Sequence, residues 1–188
     1  MSPNLIRWSG LAAMLGGALG VVLSPVLAHL WDTYSDLYRT YGRLYFLSLP
    51  PELLGLYALR NVRGGGSGAQ ERWGFRLLLV GMWLMVIGVF TDYWVGVSLG
   101  FMLEIVATPL LLAGFVVLAI GLRKAGDVPR WIGFILVSAV AGTFPVTFFW
   151  VNHMPGGPLL LLHAAWVVIG YVLWSGRGAF SEQPAHVT

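Results

Sequence analysis

Six stretches of the chain are long apolar runs of a kind that a soluble domain has no means of burying: Ser9 to Leu30, Leu44 to Leu59, Phe75 to Tyr93, Val97 to Leu122, Ile132 to Val151 and Pro158 to Trp174. A hydrocarbon core of about 30 Å asks for about 20 such residues per helix, which the second run meets only by borrowing from the residues before it. Charged residues are 10% of the chain and hydrophobic ones 57%, against about 25% charged in soluble domains. The expected fold class is therefore all-α, a polytopic transmembrane helical bundle of about six spans. It fills residues 1–176 and leaves a polar, disordered tail at 177–188.

Charge predicts how the chain is threaded. Of the 11 Lys and Arg residues, all but Arg39 and Arg43 fall at ends of the runs that share one side, which places both termini in the cytoplasm. Tryptophan agrees without reference to charge, because Trp8, Trp73, Trp131 and Trp174 mark the inner ends and Trp31, Trp94 and Trp150 the outer ones. The outward segments open alike, with Arg7-Trp8, Arg72-Trp73 and Arg130-Trp131, and Pro51 aligns with Pro109, a faint repeat of an in-and-out hairpin. The plainer account is that each outward helix needs these residues at its start. The net charge of +3 is spread over loop ends rather than along a stripe, so no nucleic-acid partner is expected.

The first run, with Arg7 ahead of it and Val26-Leu27-Ala28 near its end, has some features of a secretory signal. Its apolar core exceeds the usual 7 to 15 residues or so, and a retained helix is expected. The stretch 61–72 holds GGGSGA and reads as a flexible cytoplasmic loop; it lacks the spacing of a phosphate-binding loop. Gly16 to Gly20 and Gly96 to Gly100 fit G-x-x-x-G, which permits close approach of helices within the bundle or between two copies.

Residues 31–45 are the one long amphipathic stretch. Trp31, Tyr34, Tyr38, Tyr41 and Tyr45 share a face with Leu30, Leu37 and Leu44 beside them, opposite Asp32, Asp36, Arg39 and Arg43. This predicts a helix anchored in the outer interface, whose aromatic residues can also line an entrance for a lipid-like molecule. It runs directly into Pro50-Pro51-Glu52.

Ionisable groups at bilayer depth are costly and mark function more often than other residues do. Counting inward at 1.5 Å per residue, Glu52 lies about 12 Å deep, Glu104 about 11 Å, His163 about 8 Å and Thr147 about 6 Å. All belong to the outer halves, whereas the inner halves show almost no ionisable residue. Pro50, Pro51 and Pro109 are expected to break the second and fourth spans near these groups, as in transporters. Glu52 has a second explanation in capping a restarted helix. Glu104 has only the Thr108 hydroxyl nearby and must face the interior; the two carboxylates can share a proton, pair with Arg43 or meet His163. The candidate cavity is thus Tyr45, Glu52, Glu104, Thr147 and His163.

Other chemistries find little support. A chain without cysteine has no disulfide, thiolate nucleophile or Cys-ligated metal. Neither Glu-x-x-His nor H-E-x-x-H occurs, the only lysine is the loop residue Lys124, and Ser67 and Ser138 have no histidine placed to activate them. No metal or cofactor is expected.

Val128-Pro129-Arg130-Trp131 and the closing Gly170-Tyr171-Val172-Leu173-Trp174-Ser175 resemble segments of small six-span bacterial membrane proteins that have no assigned activity. The resemblance implies a multi-pass inner-membrane bundle and brings no catalytic residues with it. The leading expectation is a protein that binds a small or lipid-like ligand in an outward-facing polar cavity, or an accessory subunit with a membrane-protein partner or a second copy. A proton-coupled carrier and an intramembrane enzyme with paired carboxylates are the alternatives.

Overall fold

With so many apolar side chains and so few polar ones, the chain satisfies its backbone locally, and its elements among the described residues are helices. The computed structural model describes residues 1–30, 36–63, 68–125, 130–150 and 159–175, and the backbone alone at 125, 130 and 144–150. The helices are α1 (Pro3–Leu30), α2 (Asp36–Phe46), α3 (Leu49–Val62), α4 (Ala69–Phe90), α5 (Leu99–Ala125), α6 (Arg130–Trp150) and α7 (Leu160–Ser175). A π-helical turn, Thr91–Val95, extends α4. Three helices are long and apolar enough to cross a membrane, over Pro3–Leu30, Ala69–Val95 and Leu99–Lys124; Trp131–Thr143 and Leu160–Ser175 are shorter apolar helices.

The helices close a ring. α1 packs on α3 and α7, α3 on α4, α4 on α5, α5 on α6 and α6 on α7, while α3 also reaches across to α7. Neighbours run antiparallel, since Gly10 of α1 abuts Trp174 and Gly17 abuts His163. The same holds for α4 and α5, where Gly74 meets Leu118 and Gly88 meets Gly100. At one end of the bundle Arg7 Nε donates to the Trp174 carbonyl at 3.1 Å, and Arg63 joins α3 to α4. At the other end lie α2, the π-helical turn and the start of α5.

Several expectations are revised here. The second segment breaks at Leu47-Ser48, ahead of the prolines, which occupy the first turn of α3, where a missing N–H leaves no helical bond unmade. Pro109, in contrast, lies inside a continuous α5, so the fourth segment is not split. The loop expected at 61–72 is shorter, because α3 runs to Val62 and α4 begins at Ala69. The tail from 177 onward and residues 31–35 lie outside the described residues.

The aromatic face of α2 is turned inward rather than toward an interface. Tyr38, Gly42 and Tyr45 are its buried residues, while Leu37 and Leu44 are 59% and 43% exposed. Gly42 explains this orientation, since a Cβ there would overlap the Tyr93 ring and its absence lets α2 lie flat on the π-helical turn. Gly16 and Gly20 face α3 and α7, and Gly100 faces α4, all within the fold. Gly96 has another role: it ends the π-helical turn at φ 77°, a left-handed conformation that glycine adopts without penalty.

Candidate functional site

Three of the predicted residues form one hydrogen-bonded row. Glu52 stands in the first turn of α3, His163 on α7 and Tyr45 in the last turn of α2. His163 Nδ1 lies 2.6 Å from Glu52 Oε1, and His163 Nε2 lies 2.9 Å from the Tyr45 hydroxyl. The imidazole fits because Gly20 on α1 leaves space for it: a Cβ there would sit 2.5 Å from the His163 ring. All three side chains are 2–3% exposed. With Nδ1–H donating to the carboxylate and the Tyr45 O–H donating to Nε2, each polar atom of the imidazole is satisfied, as burial demands.

The capping role offered for Glu52 is not what its carboxyl does. Its hydrogen bond goes to His163, across the bundle, and the turn at Ser48 is held by that residue's own hydroxyl donating to the Tyr45 carbonyl at 2.7 Å. The order hydroxyl, imidazole, carboxylate is that of a general-base triad. Beside it, however, lies a cavity of only about 10 Å³, lined by Glu52, His163, Met82, Met85 and Trp166 among others, which is room for about one water. The row holds three helices together and leaves no space for a substrate.

Glu104 does not join it by a hydrogen bond. The side chain packs on α4 at Gly88, and Oε1 is buried with no hydrogen-bond partner. The Thr108 hydroxyl, its expected polar neighbour, donates instead to the Glu104 main-chain carbonyl at 2.9 Å. Glu104 lies within electrostatic range of Tyr45 on one side and of Tyr93 and Asp92 on the other. The Thr147 side chain lies outside the described residues.

Beyond Glu104 is a cavity that sequence reasoning did not assign. It has a volume of about 300 Å³ and is lined by Tyr38, Arg39, Asp92, Tyr93, Ser98 and Phe101, with Gly96 at its edge. Tyr38 and Tyr93 form one wall, their hydroxyls 2.8 Å apart and their rings 5.3 Å apart between centroids. Arg43 fixes that wall from outside, donating from Nε to the Tyr93 carbonyl at 3.1 Å and lying 5.4 Å over the Trp94 ring. Arg43 therefore serves Tyr93 and Trp94, not either glutamate. The sequence signal for this site was the coincidence of Tyr38 on a helical face with the aspartate-tyrosine pair closing the third apolar run.

A second buried ion pair lies at the opposite end. Arg63 Nε and Nη2 donate to Glu71 Oε1 and Oε2 at 2.8 and 3.2 Å, and Glu71 is fully buried. The expectation that this half of the bundle lacks buried charge is thereby corrected. The cue was an arginine and a glutamate bracketing the glycine-rich stretch. Comparison with protein families, curated proteins and solved structures yields no match to this chain.

Proposed function

We propose that the chain is a multi-pass protein of the bacterial inner membrane, with six crossings and both termini in the cytoplasm, that binds a small polar ligand in the cavity between α2, the π-helical turn and α5. The observation that supports this most is the cavity of about 300 Å³ itself, which lies at the end of the bundle opposite Arg7 and Arg63. On the threading read from charge, that end faces outward. A cavity of this size matches the smaller ligand sites, and its lining of tyrosine hydroxyls, aspartate and arginine favours a polar molecule over an acyl chain. The shorter helices α3 and α7 complete the six crossings, α3 by continuing from α2.

The paired-carboxylate enzyme needs two acids facing one space, and the engagement of Glu52 by His163 weighs against it. A carrier is the second reading, favoured by Glu104 standing between the two polar regions. On that reading Glu104→Gln abolishes uptake of the ligand without loss of folding, and unchanged uptake removes it.

The binding proposal is tested by native mass spectrometry of the protein released from its own membranes. Wild type should retain a small molecule that a Ser98→Trp variant, with its cavity filled, does not. Identical spectra of bound and free species in both would contradict it.

A further inference from the structure

We propose that the outward cavity takes an organic ammonium ion, received by the aromatic faces of Tyr38, Tyr93 and Phe101 and by the carboxylate of Asp92. The inference rests on the binding role proposed above and names the class of ligand. Three observations lead to it. First, three aromatic residues line a space of about 300 Å³, and the rings of Tyr38 and Tyr93 stand at 56° to one another. A desolvated ammonium is attracted to such faces.

Second, of the two charged residues in the lining, Asp92 and Arg39, the acid is the more sheltered. Asp92 is a lining residue, and Glu104, only 8% exposed, lies one helical turn beyond the lining residue Phe101 and within electrostatic range of Asp92. A carboxyl buried with an oxygen that has no hydrogen-bond partner is held either as the neutral acid or by a nearby cation. Arg39, the opposing charge, is exposed, so solvent and salt screen it, and Arg43 is committed to Tyr93 and Trp94.

Third, the space does not suit the simpler ions. A metal cation asks for several oxygens closing around it at 2.0 to 2.6 Å or so, whereas this cavity offers one lining carboxylate and a volume many times larger. An inorganic anion would face the Asp92 carboxylate. An alkylated ammonium, bulky and weakly hydrated, meets both requirements.

The test uses the full chain in nanodiscs of phosphatidylglycerol, free of choline headgroups, with empty discs as blank. Calorimetric titration compares choline with 3,3-dimethylbutan-1-ol, its uncharged isostere, and with acetate. Choline should bind at least about tenfold tighter than the isostere, a difference of about 1.4 kcal/mol. Asp92→Asn should remove that advantage while leaving the isostere and the unfolding temperature unchanged, and Ser98→Trp should abolish choline binding. Equal binding of choline and isostere, or tighter binding of acetate, would overturn the ammonium assignment while leaving a small-ligand site in place, and choline binding that survives Ser98→Trp would overturn the cavity as the place where it binds. Binding of none of the three probes, in a protein that unfolds cooperatively, would overturn the assignment and the ligand-binding role together.

Discussion

The two polar regions on either side of Glu104 are built from the same residue types to opposite effect. Around His163 the hydroxyl, imidazole and carboxyl are bonded in a row at 2.9 and 2.6 Å, beside about 10 Å³ of free space. Around Tyr93 two hydroxyls bond only 2.8 Å apart, yet Asp92 and Arg39 border about 300 Å³. Closure separates the two regions. The first region has exchanged every opportunity for binding for cohesion among α2, α3 and α7, and the second has left its walls short of one another.

This contrast makes its strongest demand on Glu52 and His163. Removing one member of a buried pair strands the other, at a cost of about 3–5 kcal/mol, so Glu52→Leu or His163→Leu should lower the unfolding temperature in nanodiscs sharply. The double variant should be less destabilised than the sum of the two, because neither polar group is then left behind. Equal additive losses would mean that the row does not act as a unit. Next in size is Gly20→Val, whose side chain meets the His163 ring and should cost about 1–3 kcal/mol by overpacking, read by the same melts.

Smaller effects belong to the open region. Tyr38→Phe deletes the hydroxyl facing Tyr93 and should cost about 1 kcal/mol, with more of its consequence in binding than in the melt. Glu104→Leu should change stability by about zero or raise it, since it removes an oxygen that has no hydrogen bond to lose. A loss as large as that of Glu52→Leu would show that Glu104 is a structural residue and would erase the distinction between the regions.

Much of this was legible in one dimension. Apolar runs and their charged ends located the long helices, and counting depth from those ends offered a Glu52–His163 contact as one of three pairings, the one found. What counting could not supply was the direction in which each helix turns. Tyr38 and Tyr45 face inward, not toward an interface, because Gly42 lets α2 settle on Tyr93, a contact between residues far apart in sequence. Glu104 forms no bond to His163, whose two nitrogens are taken by Tyr45 and Glu52. Pro109 was legible as a proline but not as one that a long apolar α5 absorbs, whereas Pro50-Pro51 follow a chain break already made at Ser48. Arg63–Glu71 was missed because its partners are joined by a glycine-rich stretch that reads as slack, while the helices around it bring them together.

The central claim is that the open region looks out of the cell and the Arg63–Glu71 end looks in. A chain without cysteine allows this to be read directly by labelling single cysteines with a membrane-impermeant maleimide, using Ser98→Cys and Gln70→Cys, both at exposed positions. The account predicts that Ser98→Cys is labelled in intact spheroplasts and Gln70→Cys only after the membrane is permeabilised. Labelling of Gln70→Cys from outside, with Ser98→Cys protected until permeabilisation, would contradict it.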